Sequence, residues 1–157
     1  MGIKVTDNIS PILEKAASII FECVKEGLAM LGEECVNNIR ERPASSSWID
    51  QTGNLRSSIG YAVFEYGRKE IESAFKQVKN GQEGTDAGRK MIDELAREYS
   101  DTFALVVIAG MDYAEYVERR DNKDVLASEE LRAKSVIKQV MESALRRANK
   151  RINKLLK

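Results

Sequence analysis

The chain has 157 residues and a mass of 17.6 kDa, with 43% apolar and 32% charged residues, enough for one domain with a real core and too apolar for wholesale disorder. Its 25 Lys and Arg balance 25 Asp and Glu, which excludes a uniformly basic nucleic-acid coat. The absence of histidine removes the commonest metal ligand and general base, and two cysteines cannot make a zinc site alone, so composition points to a soluble assembly module more than to an enzyme.

The first residues lack the charged-then-apolar layout of a signal peptide, and no run approaches the ~18 apolar residues of a membrane span. Met1-Gly2 followed by Thr6 fits a myristoylation pattern superficially; glycine is also common after an initiator methionine, and that reading is preferred. Cys23 and Cys35 lie twelve positions apart, about 18 Å if both are on one helix, beyond disulfide reach. Two small buried apolar side chains in a reducing compartment are expected.

From Ser10 to Arg42, apolar residues recur in steps of three and four through Ile12, Ala16, Ile20, Val24, Leu28, Leu31, Cys35 and Ile39, which predicts one long helix filling most of residues 1–43. Ser10 is the N-cap candidate, Pro11 suits the first turn, and Pro43 ends the helix. Gly27 and Gly32 each cost about 1 kcal/mol in a helix, so either a neighbouring backbone approaches closely or the helix bends there. Residues 43–53 form a serine-rich loop with the single tryptophan, Trp48. An exposed Trp48 would anchor an interface, and a Trp48 folded back on the core fits equally well.

A period near two from Ser57 to Tyr66 predicts a strand, followed by a turn at Gly67-Arg68-Lys69. Residues Ile71 to Val78 follow as a second hairpin strand, with a short helix as the alternative. Asn80 to Gly88 is glycine-rich and polar and reads as a loop, with no phosphate-cradling motif. A short helix is expected over Asp86–Tyr99. Phe103 to Ala109, seven apolar residues, reads as the central strand of the sheet. Met111 to Leu126 is a compact, partly helical crossing. Ser128, followed by Glu129 and Glu130, starts a final helix running to about Leu155.

This order predicts an α+β fold in one domain over 1–157: a small antiparallel sheet of about three to four strands packed against long N-terminal and C-terminal helices on one face. The sheet region, with its helical insert, covers 55–111, and the basic C-terminal helix covers 128–157. Leu28, Leu31, Leu105, Val107, Val140 and Leu145 are expected to be largely buried. The loops 44–51 and 80–88 have too few apolar residues to offset their backbone entropy and are expected to order only against a neighbour.

Charge is polarised along the chain. Residues 131–157 hold nine Lys or Arg and one acid, Glu142, a net of +8, so the remainder carries −8. This face, around Arg146, Arg147, Lys150 and Arg151, either meets nucleic acid or an acidic partner, or is a solvated helix face with cations near its C-terminus. Head-to-tail self-association also fits. Asp112, Glu115 and Glu118 would share a helical face able to take a hard cation, but no convergent ligands accompany them. Ser45-Ser46-Ser47 has no histidine to activate it. No catalytic, cofactor or metal residue is therefore assigned.

Two segments carry a resemblance. Thr52-Gly53-Asn54-Leu55-Arg56-Ser57-Ser58-Ile59 resembles the start of the first strand in the head–tail joining (neck, or tail-completion) proteins of long-tailed bacteriophages. Met111-Asp112-Tyr113-Ala114-Glu115-Tyr116-Val117-Glu118, after an apolar strand ending in Gly110, is similar to that family's Y-A-x-Y-V-E segment. The layout agrees over roughly residues 9–150, although Arg119-Arg120-Asp121 stands where the family often has Phe-Gly-Thr. The resemblance implies a non-enzymatic virion structural protein of the phage neck, assembled in the bacterial cytoplasm and compatible with a prophage origin. Its implied partners are itself, in a ring that is commonly sixfold, and neighbouring neck, connector and tail proteins; contact with packaged DNA is compatible, and no membrane is implied. Trp48, Asn54, Arg56, Tyr113, Tyr116, Glu118, Arg146, Arg147, Lys150 and Arg151 are its interface candidates, and the two segments are expected to meet at one end of the sheet. The alternative is a nucleic-acid-associated module acting through the basic helix.

Overall fold

A computed structural model of the chain describes residues 9–120 and 123–157; the Met1–Thr6 pattern and Asp121-Asn122 lie outside them. Helix α1 (Ile9–Glu41) stops just before Pro43 and is about 50 Å long. Ser10 lies within the helix and is therefore not the N-cap; its hydroxyl donates to Glu14 Oε1 at 3.5 Å. A four-residue turn, α2 (Asn54–Ser57), precedes β1 (Ile59–Glu65), so the strand starts later than Ser57. Strand β2 (Arg68–Glu72) follows a two-residue turn in which Tyr66 and Gly67 both have positive φ, 48° and 80°. The hairpin is therefore real, but this tight turn brings its second strand forward from residues 71–78.

Helix α3 (Gln82–Leu95) and a 3₁₀ turn (Ala96–Tyr99) lead to β3 (Phe103–Ala109), a short α4 (Ala114–Arg119) and the long α5 (Ala127–Leu155). Helix α3 starts inside the stretch expected to be a soft loop. Its glycines serve close packing: a Cβ on Gly84 would fall 2.0 Å from the Asn54 carbonyl oxygen, and one on Gly88 2.3 Å from the Phe75 ring. Composition reads such glycines as flexibility because it cannot see what lies against them.

The fold is α+β, with a three-stranded antiparallel sheet in the order β2-β1-β3 and long helices at both ends of the chain. The central strand is β1, buried along all seven residues, and β3 is an edge. The apolar run of β3 misleads because both its faces are covered while one edge is not. Ala104, Val106 and Ile108 pack with Ala62, Phe64, Phe75 and Ile92 under α3. Leu105 and Val107 pack on the other face with Tyr61 and Val63 under α1. Gly32 lets that face close, since a Cβ there would come within 2.5 Å of the Tyr61 ring.

Helix α5 runs antiparallel to α1 and packs on it rather than on the sheet, so the sheet has α1 on one face and α3 on the other. Gly27 faces Val140 and Ala144, and Cys23, Ala144 and Ala148 form a small core of their own. Ion pairs pin the helices at intervals: Arg42 to Asp124 at 2.8 Å, Arg132 to Glu34 at 2.9 Å, Arg151 to Glu26 at 3.1 Å. Both cysteines are free and buried on α1, and burial pushes the Cys35 thiol pKa up. Leu28 and Leu31 are buried, whereas Leu105, Val107 and Val140 are half-buried and Leu145 is 49% exposed. The small Ala144/Ala148 strip is all that α1 covers there, and Leu145 is turned about 100° away from it.

Ser128 does not cap α5 either. The Leu126 and Ala127 N–H groups donate to Glu118 Oε1 at 3.1 and 2.6 Å, and the Ser128 N–H donates to Asp124 Oδ1 at 3.1 Å. Among the described residues, no helix is long and apolar enough to cross a membrane.

Candidate functional site

The two short segments meet. The Gly110 N–H donates to the Ser58 carbonyl at 3.1 Å, where β1 begins and β3 ends, and joins Thr52–Ile59 to Met111–Glu118. Gly53, at φ 91°, turns the chain into α2 in the left-handed conformation that glycine adopts without a Cβ penalty. Its N–H donates to Asp50 Oδ1 at 3.1 Å, and the Asn54 N–H donates to Thr52 Oγ1 at 3.2 Å. Asn54 then reaches across to α3, its Nδ2 donating to Glu83 Oε2 at 2.7 Å.

Trp48 is 5% exposed and belongs to the core, with Leu55, Ala114 and Val117. It is therefore not an anchor on a soft tether, and loop 44–51 is held down by its own aromatic residue. The Arg56 guanidinium sits 4.8 Å from the Trp48 ring centroid, 3.5 Å from Asp50 Oδ2, and donates to the Arg40 carbonyl. Arg56 thus ties the loop to the end of α1.

Above this frame is a shallow recess of about 250 Å³ between loop 48–52 and α4, beside Tyr113. Burial, together with the charges of Asp50 and Glu83, raises the Tyr113 hydroxyl pKa. Ile49 and Tyr116 stand exposed beside it, with Tyr116 under the Arg120 guanidinium at 5.8 Å. Four of the five buried side-chain polar atoms without a hydrogen-bond partner, among the described residues, fall in this one segment: Ser47 Oγ, Trp48 Nε1, Asp50 Oδ2 and Asn54 Oδ1. Asp50 Oδ2 has the Arg56 charge 3.5 Å away; the other three are costly unless water or another chain meets them. The recess thus mixes aromatic and aliphatic side chains with the polar Asp50, Gln51 and Thr52, a combination that suits recognition of another protein.

Of the other candidates, Glu118 is occupied in capping α5 and Glu115 pairs with Arg119 at 2.6 Å, so neither is free for a cation; the described residues hold no cluster of metal-ligating side chains. On α5, Arg147 donates to the Cys23 carbonyl at 3.2 Å and Arg151 pairs with Glu26, so two of the four basic candidates bind α1. Arg146 and Lys150 are exposed.

One feature escaped the sequence. A groove of about 560 Å³ lies between α1, the edge strand β3 and α5, with Leu28, Leu31, Leu105, Val107, Ile137 and Met141 among its lining and Glu130 and Lys134 on its rim. The signal lay in the contrast between the two hairpin-flanking strands, one charged and one without a charge, and it becomes readable only once the strand order is known. Comparison with protein-family models, curated proteins and solved structures finds no match.

Proposed function

We propose that this chain is a structural protein of a bacteriophage neck, which oligomerises into a ring and joins the capsid-side connector to the tail. The supporting observation is the junction of Thr52–Ile59 with Met111–Glu118 through the Ser58–Gly110 bond. The two stretches that carry the resemblance, over 50 positions apart in the chain, make one surface, and the adjoining loop 47–50 with Asn54 holds four of the five buried side-chain polar atoms without a hydrogen-bond partner among the described residues. The exposed Tyr113 and Tyr116 give it the aromatic character of protein interfaces, with the exposed Ile49 nearby. The test is removal of the chain from a phage that encodes it. Filled heads and finished tails should accumulate separately in electron micrographs, and joined, infectious particles would sink the proposal.

The nucleic-acid reading has less support, because Arg147 and Arg151 are engaged with α1. It predicts DNA affinity that falls log-linearly and steeply with salt.

A further inference from the structure

We propose that the free edge of β3 and the groove beside it accept an extended strand, and that the strand is the Ile3–Thr6 segment of a second copy of this chain. This deepens the ring reading by naming the contact, and rests on it only for the existence of self-association.

The acceptor is defined by hydrogen-bond parity. The Tyr66 N–H donates to the Thr102 carbonyl at 3.0 Å and the Gly110 N–H to the Ser58 carbonyl at 3.1 Å, one at each end of the β1–β3 ladder. Antiparallel ladders alternate, so the even-numbered residues of β3 bond to β1 and the odd-numbered ones turn their N–H and C=O outward. The Phe103 carbonyl takes the Thr102 hydroxyl at 3.2 Å. Leu105 and Val107 therefore present the outward backbone groups, and their side chains also line the groove. A strand laid against this edge would gain main-chain bonds and drop every second side chain between α1 and α5.

The occupant must be extended and carry branched apolar residues two apart. In the other irregular stretches Trp48, Phe75 and Val125 are committed to the core, and the exposed Ile49 has only Ser47 and Gln51 two positions away, so it offers no such pair. Residues 3–6 read Ile-Lys-Val-Thr, which puts Ile3 and Val5 on one face with Lys4 and Thr6 on the other. They lie outside the described residues, of which the first is Ile9, on α1. Ile3 is six residues before Ile9, a reach of about 20 Å at most. Gly32, which abuts Leu105, is 23 residues beyond Ile9, about 35 Å along the helix. The segment cannot fill its own groove, so donor and acceptor are different copies. An arm given by one face and received by another is a heterologous contact, which closes into a ring or extends into a chain.

The test uses the full chain in sedimentation velocity. Val107→Pro removes only an outward N–H, which an edge strand tolerates; I3D/V5D removes the donor's apolar face. Each variant should weaken self-association by at least ~10-fold, while an equimolar mixture, retaining one good arm and one good groove, should form a dimer and stop there. If Val107→Pro does not fold, Val107→Lys places a charge in the same groove and is read the same way. Wild-type chain that stays monomeric at the highest concentration reached, or association indifferent to the groove variants, overturns the proposal. Association lost with the groove variant but kept with I3D/V5D also overturns it, in favour of β3 pairing with another β3. The mixture experiment needs no phage particle, so it can succeed where the neck reading fails, and the reverse.

Discussion

The two edges of the sheet are built differently. On β2, Arg68, Lys69 and Glu70 are exposed and enmeshed in ion pairs: Lys69 with Asp93 at 2.6 Å and Glu72 at 2.8 Å, Glu70 with Lys25 at 3.1 Å. The pairing of β1 with β2 also shifts register between Val63 and Phe64. Charges and irregularity of this kind deter edge-to-edge pairing. Strand β3 has neither: it pairs with β1 across all seven positions and carries no charge from Phe103 to Ala109. One edge is closed by its chemistry and the other carries no such deterrent.

The largest effect expected from this contrast is at the closed centre. Phe64 is fully buried on β1 and stacks with Tyr99 at 5.9 Å, so Phe64→Ala should cost about 3–5 kcal/mol in chemical denaturation. Leu105→Ala, in the half-open groove, should cost only about 1–2 kcal/mol. Equal costs at the two sites would mean that β3 is as enclosed as β1 and the contrast is false.

The closed edge can be opened from the α1 side. Lys25 reaches from α1 to Glu65 at 2.9 Å, to Glu70, and to Glu22 at 3.1 Å; the Glu65 carboxylate holds its ammonium pKa above the usual lysine range despite burial. Lys25→Met leaves the buried Glu65 carboxylate without that cation and should destabilise the fold by about 3 kcal/mol. A double variant with Glu65→Gln should recover part of this loss. Failure to recover would show that the Lys25 stem, not its charge, is what matters.

What the sequence allowed to be read follows from the same contrast. The long helices, the β1–β2 hairpin and the extent of β3 come from local periodicity, and Phe103–Ala109 was located to the residue. Strand order is a non-local property, so an apolar run could not be told apart as edge or centre. Glycine in α3 and tryptophan in loop 44–51 misled for a related reason. Gly88 lies against Phe75, and Trp48 shares its cluster with Ala114 and Val117, neighbours that are not near in sequence. The joining of Thr52–Ile59 with Met111–Glu118 was foreseeable, because both segments border strands that pair. The groove was not, since it needs the edge, α1 and α5 together.

The smallest expected effect tests how far α5 belongs to the core. Periodicity places Leu145 on the apolar stripe, next to Ala144, yet it is 49% exposed while Ala144 is fully buried. Helix α1 approaches α5 through Gly27 and small alanines, so the contact strip is narrow and a flanking leucine falls outside it. Leu145→Ala should therefore change stability by less than about 0.5 kcal/mol. The same truncation applied to Ile39, fully buried on the sheet side of α1, should cost about 2–5 kcal/mol. A cost of that size at Leu145 would place α5 deeper in the fold and narrow the groove that β3 leaves open. A null effect on stability with a loss of self-association would instead put Leu145 in the contact between copies, on the same side as the receptive edge.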